Sequence, residues 1–233
     1  MTGGIGDGIS GWRLWLFDFD NTLAALATQV DWAASRRELE SFLRLKGVDE
    51  TLLREFPSRN LPLYNALFSR SADSLDAALI RGASGIIESY ELRGIENAAP
   101  LTGAVELLLS LSARGKRIAI VTSNSSSTVR CWLANHQLMS KVGAIVGRDS
   151  LLPLKPSPDM VRRALELNRS FAAEAVMVGD SEADLIAAHC AGVAFLGVAS
   201  DPDARTRMQK LGIRDVFSSP GDLGRRLFGS HPA

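Results

Sequence analysis

Short apolar runs recur along this chain, at Trp12 to Phe17, Arg117 to Val121, Val142 to Val146, Ala175 to Val178 and Val193 to Val198. Each suits a strand and is too short for an independent helix. Between the later ones lie amphipathic stretches of helical length: Thr102 to Arg114, Ser125 to Gln137, Pro158 to Asn168 and Glu182 to Ala191. Strands joined through helices run parallel, and a parallel sheet needs helices on both faces. The alternation therefore predicts an α/β fold with a doubly wound parallel sheet. Helix punctuation agrees: Thr102 is placed to cap the first of these helices and Gly115 to end it.

One interval breaks the rhythm. Ala24 to Ala99 is too long for one crossover and shows no strand alternation. Trp32 to Lys46, Glu50 to Phe56, Leu61 to Ser69 and Ser74 to Leu92 read as successive helices, broken at Gly47, Pro57 and Ser71 to Asp73. The expected division is a flexible leader over 1–11, an α/β core over 12–23 and 100–233, and an inserted all-helical domain over 24–99. The leader contains Gly6-Asp7-Gly8-Ile9-Ser10-Gly11, a dinucleotide-binding pattern by spelling. That pattern works only between a strand and a helix N-terminus, and here the strand follows it. The tail from Ser218 is expected to form a short last helix and then fray.

Charge and composition count against several classes of function. The 26 basic and 26 acidic residues cancel, leaving no basic excess for binding nucleic acid. No apolar run approaches the ~18–20 residues of a membrane span. Met1 to Gly11 lacks the basic start of a secretory signal, so a cytoplasmic location is the default expectation. Cys131 and Cys190, both in helical stretches, read as reduced, partly buried thiols, with a single disulfide left open.

Ligands of such sheets bind beyond the carboxyl ends of the strands. There this chain carries Asp18-Phe19-Asp20-Asn21-Thr22, Thr122-Ser123-Asn124, Lys155-Pro156-Ser157-Pro158-Asp159 and Gly179-Asp180-Ser181-Glu182-Ala183-Asp184. Carboxylates from Asp18, Asp20 and Asp180 brought to one pole repel one another unless a cation lies among them. An all-oxygen set with few carboxylates suits Mg²⁺. A phosphate-bearing substrate would be drawn to the cation and to Lys155. Singly, each group also fits a plainer role: aspartates cap turns and helix starts, and a lysine before proline is often a solvated loop residue.

Taken in order, these segments resemble the four motifs of the haloacid dehalogenase superfamily, from about Leu14 to Val198. The resemblance implies a Rossmann-like core with a helical cap over 24–99 and phosphoryl transfer through an aspartyl-phosphate. It implies Asp18 as nucleophile and Asp20 as general acid and base. Thr122, with the amides of Ser123 and Asn124, would bind the phosphoryl oxygens, and Lys155 would neutralise charge on them and on Asp18. Asp18, Asp180 and the backbone carbonyl of Asp20 would hold Mg²⁺, with Asp184 in support. The carboxylate at Asp20 favours phosphotransfer over dehalogenation, because a halide leaves without a proton. The implied function is a phosphoglycolate phosphatase-like phosphomonoesterase for a small phosphorylated metabolite; whether the chain acts as monomer or homodimer is left open by the sequence.

Two alternatives stay open: a sugar-phosphate mutase, suggested by Leu45-Lys46-Gly47-Val48, and a phosphate-binding regulatory protein without turnover. The mutases use a cap histidine, whereas His136, His189 and His231 lie far downstream and read as helix-surface, helix-packing and tail residues. A phosphonate hydrolase would rest on Lys46, the insertion's single lysine. Specificity is expected from polar residues at the insertion's helix breaks: Lys46, Arg54, Arg59, Asn60 and Tyr64.

Overall fold

A computed structural model describes residues 11–70 and 77–229. Its six strands are β1 (Leu14–Phe17), β2 (Arg117–Val121), β3 (Ala144–Val146), β4 (Ala175–Gly179), β5 (Ala194–Val198) and β6 (Val216–Phe217). They form one sheet, ordered β3-β2-β1-β4-β5-β6, with every pairing parallel. The winding reverses direction beside β1, which opens a crevice at the strands' carboxyl ends. Phe17 is in register with Ile120 on one side and Val178 on the other, so the three central strands deliver their following residues to one level.

All four residues of β1 are buried. Because side chains alternate across a strand, Leu14 and Leu16 enter one apolar cluster, and Trp15 and Phe17 enter a second on the opposite face. Burying each such side chain contributes about 1.5–3 kcal/mol.

The interval after β1 is helical, with α1 (Trp32–Leu45), α2 (Glu50–Glu55), α3 (Asn60–Arg70) and α4 (Ala77–Gly94). Asp31 caps α1 by accepting the Ala34 N–H, and Asp49 caps α2 by accepting the Thr51 N–H. The chain enters and leaves this insert side by side. Ala24 forms an antiparallel bridge with Pro100, the Ala25 N–H donates to Ala99 O at 3.0 Å, and the Leu101 N–H donates to Leu23 O at 2.9 Å. The insert does not keep a core of its own. Leu39, Leu43, Leu63 and Ile80 share one buried cluster with Leu14, Leu16, Val146 and Leu154.

The crossover helices are α5 (Ala104–Ala113), α6 (Ser126–Asn135), α7 (Asp159–Leu167) and α8 (Glu182–Cys190), followed by α9 (Pro202–Lys210) and α10 (Pro220–Phe228). Three sequence expectations need correction. The third strand starts at Ala144, not Val142. Thr102 does not cap α5: the capping position is Gly103, at φ +76° and without a side-chain bond. A Cβ on Gly103 would lie 2.3 Å from the Gly221 Cα, so only glycine fits where α10 docks, and Thr102 contributes its carbonyl to the Gly221 N–H. The third correction is an omission, β6 together with α9.

Gly115 ends α5 as expected, with φ +70°. Cys131 and Cys190 are free thiols, the first half-buried and the second exposed rather than partly buried. The leader pattern Gly6 to Ser10, the expected helix start at Ser74 and His231 lie outside the described residues. Among the described residues, no helix is long and apolar enough to cross a membrane.

Candidate active site

Asp18 follows β1 directly and is buried, with 6% of its surface exposed. Its N–H donates to Val178 O at 2.9 Å, which fixes the backbone against β4. The Thr22 hydroxyl donates to Asp18 Oδ2 at 3.3 Å, and the Lys155 ammonium donates to Oδ1. Lys155 also donates to Asp184 Oδ1 and, at 3.1 Å, to the Val121 carbonyl. One ammonium thus serves two carboxylates.

Asp184 is placed by the start of α8. Ser181 Oγ accepts the Asp184 N–H at 3.2 Å, while Asp184 Oδ2 accepts the Ser181 N–H at 3.1 Å and its hydroxyl at 2.6 Å. This capping box leaves Oδ1 for Lys155. A Cβ on Gly179 would lie 2.7 Å from Asp184, so a glycine at the end of β4 is what lets the carboxylate approach. Asp18, Asp180 and Asp184 each offer an oxygen, and these oxygens lie within 4.8 Å of one another.

The electrostatics follow from that crowding. Burial pushes the Asp18 carboxyl up to about 7, with Lys155 opposing the shift and Asp184 adding to it. Burial, then Asp18 and Asp184, push Asp180 up to about 8. Burial disfavours the charged form of Lys155, yet Asp18 and Asp184 outweigh it and hold the ammonium more firmly than usual. Fully ionised, the three carboxylates would outnumber the one ammonium, and the raised values of Asp18 and Asp180 are how the cluster answers that excess until a cation does. Hard oxygen donors with surplus charge fit a cation such as Mg²⁺.

Asp20 turns toward the start of the insert, where its Oδ1 accepts the N–H groups of Leu26 and Ala27, both at 2.9 Å. Burial raises its carboxyl, and those amide bonds act against the rise. Thr122 Oγ1 donates to Asn124 Oδ1 at 3.0 Å and accepts the Asn124 N–H at 3.1 Å. Asp18, Asp20, Thr122, Ser123, Asn124, Lys155 and Asp184 line one cleft of about 130 Å³. Asp180 completes the acidic group from beside it. The Asn124 amide and the Thr122 hydroxyl, both expected to meet phosphate, are engaged with each other.

The candidates in the insert fare differently, for none of the five lines the cleft. Lys46 is exposed over the Phe42 ring, and Arg54 is exposed. Arg59 and Asn60 border a neighbouring depression. Tyr64 is buried and donates its hydroxyl to the Arg148 carbonyl at 3.2 Å. The insert's side of the cleft is instead formed by Trp32 and Leu61. The Trp32 indole N–H is fixed on Ala27 O at 2.9 Å, and its position just after an Asp31 cap was the available signal. The histidines also trade roles: His136 packs on Trp132, with ring centroids 4.5 Å apart, and His189 is exposed.

This arrangement has parallels among known proteins. The phosphoglycolate phosphatase of Rhodospirillum rubrum is 28% identical over 215 residues, covering 90% of this chain and 88% of its own. That of Colwellia psychrerythraea is 28% identical over 187 residues, covering 78% and 82%. Among solved structures, a hydrolase from Pseudomonas syringae superposes with a TM-score of 0.65 at 23% identity, covering 92% of this chain and 97% of its own. CbbY from Rhodobacter sphaeroides, in complex with phosphate, gives 0.63 at 21%, covering 91% and 96%. At such identities the structures speak for the fold. Residues 15–198, which carry every group of the cleft, match the haloacid dehalogenase-like hydrolases, and the chain belongs to that family.

Proposed function

We propose that this hydrolase is a Mg²⁺-dependent phosphomonoesterase acting on a small phosphorylated metabolite. The observation that carries the reading is a buried Asp18, held by Lys155 in a small cleft with a second carboxylate two residues on. Asp18 attacks phosphorus and the bond to the leaving oxygen breaks, giving an aspartyl-phosphate. Asp20 delivers the proton to that oxygen. Its Oδ1 is engaged by Leu26 and Ala27, which leaves Oδ2 for the proton. Asp20 then takes a proton from water, which attacks phosphorus, releases inorganic phosphate and restores the Asp18 carboxylate. Lys155 lies where charge gathers on the phosphoryl oxygens, and the Thr122 hydroxyl joins it by turning its proton away from Asn124 Oδ1. Asp18, Asp180 and the Asp20 carbonyl would hold Mg²⁺, which supplies neutralisation of phosphoryl charge. Asp184 positions Lys155.

Residues 24–99 act as a cap in this reading, with Trp32 and Leu61 excluding water from the cleft. A cleft of about 130 Å³ supports a small leaving group, in keeping with relatives named phosphoglycolate phosphatase. The free thiols support a reducing compartment such as the cytoplasm. The mutase alternative asks for a histidine in the insert, and residues 24–99 contain none.

The test is phosphate release from a panel of small phosphorylated acids, sugars, nucleotides and an aryl phosphate, with Mg²⁺ or chelator. Wild type is expected to turn over only with Mg²⁺, and Asp18→Asn to lose at least about 10³-fold in kcat/KM. Full activity in Asp18→Asn would refute the mechanism.

A further inference from the structure

The loop that follows β2 is gripped by a buried ion pair that takes no part in the cleft lining. Glu91, near the end of α4, and Arg148, in the turn after β3, both have fully buried side chains. They pair through two bonds, Arg148 Nη1 to Glu91 Oε1 at 2.8 Å and Nη2 to Oε2 at 3.0 Å. Glu91 Oε1 also accepts from Asn124 Nδ2 at 3.0 Å. Its Oε2 accepts the Ser125 N–H at 3.0 Å and the Thr128 hydroxyl at 3.3 Å. Arg148 donates from Nη1 to the Ser123 carbonyl at 2.8 Å, and its backbone N–H donates to the Asn124 carbonyl at 2.9 Å. Ser84 Oγ accepts from Nε at 3.2 Å.

Ser123, Asn124 and Ser125 are therefore all fastened to these two residues. Among the described residues, the Ser123 N–H and hydroxyl donate to no protein group, and Ser123 lines the cleft. The grip holds the loop in the shape that leaves these Ser123 donors unspent at the cleft. Stability alone does not account for such a pair, because buried ion pairs are often no better than apolar groups of the same volume. What apolar groups cannot do is hold two successive carbonyls and an amide in one orientation.

We propose that Glu91 and Arg148 are positioning residues for phosphoryl binding: the insert, through α4, sets the shape of the loop that presents Ser123 to the phosphoryl oxygens. This rests on the phosphomonoesterase reading above. Neither residue touches substrate; both act through the loop.

The experiment compares wild type, Glu91→Gln, Arg148→Met and the double variant. Inorganic phosphate is the probe, measured by calorimetry with Mg²⁺ and as a competitive inhibitor, alongside melting temperature. Each single variant is expected to bind phosphate about 10- to 100-fold more weakly and to melt lower. The double variant, which leaves no unpaired buried charge, is expected to regain melting temperature while phosphate binding stays weak. That split separates positioning from support of the fold, and it is readable even if a single variant fails to fold. Wild-type phosphate affinity in the double variant, or in a folded single variant, would overturn the proposal. A wild type that neither binds phosphate nor releases it from any ester would overturn the phosphomonoesterase reading itself, and this inference with it.

Discussion

Two buried ionic clusters lie on either side of the Thr122–Ser125 loop, and they are built on opposite principles. Around Lys155, three carboxylates from Asp18, Asp180 and Asp184 face one ammonium. Around Arg148, one carboxylate faces one guanidinium, and the loop's amide and carbonyls complete the bonding. The first cluster has more carboxylates than its ammonium can balance, so ionising them costs folding energy and makes a place for a cation and an anionic ester. The second is balanced, one carboxylate paired with one guanidinium through two bonds. Surplus charge marks the chemistry and matched charge marks the frame, the usual opposition between activity and stability.

The comparison breaks most sharply at the level of folding energy. Arg148→Met leaves Glu91 buried without its partner and is expected to cost ~3–5 kcal/mol in urea unfolding. Asp18→Asn removes one of the crowded carboxylates and is expected to leave unfolding stability, measured with chelator, unchanged or raised, while abolishing turnover measured with Mg²⁺. A loss near that of Arg148→Met would mean that Lys155 and its carboxylates form a balanced structural pair after all.

A smaller effect sharpens the same contrast within the first cluster. Ser181→Ala removes the capping hydroxyl of α8 and is expected to cost about 1 kcal/mol. It also frees Asp184 to draw Lys155 away from Asp18, so kcat is expected to fall while KM changes less. Unchanged steady-state kinetics would show that Asp184 needs no such restraint.

The smallest effect is read at high pH, on the edge of the second cluster. Burial pushes the Tyr64 phenol up to about 12 from 10.0, with Arg148 opposing. The folded state thus favours the neutral phenol. Below pH 10 both states are protonated, and from 10 to about 12 the unfolded chain ionises first, so stability falls as pH rises. Tyr64→Phe is expected to flatten that part of the pH–stability curve, and an identical slope would place the phenol in water.

The alternation of apolar runs and the polar strand ends made the sheet and most of the cleft legible, because both are local patterns repeated in order. What escaped was either unpatterned or distant. The strand β6 is two residues long, and α9 buries only Met208, so neither shows a stripe to read. Glu91 and Arg148 stand 57 residues apart, and nothing in either neighbourhood announces the other. Polar residues at helix breaks are where sequence points for the insert's wall, whereas the fold supplies it from Trp32 and Leu61, which carry no polar signal to single them out. Asn60, one of those polar residues, faces inward to donate to Ser35 Oγ at 2.9 Å.

The paired entry and exit of the insert at Ala24 and Pro100 suggest a module that could be exchanged between related hydrolases by cutting at two adjacent points. The shared apolar cluster sets the terms of any such exchange. A chimera that imports a foreign insert must also import its counterparts to Val146 and Leu154, the sheet-side half of the seam, and a partner for Arg148.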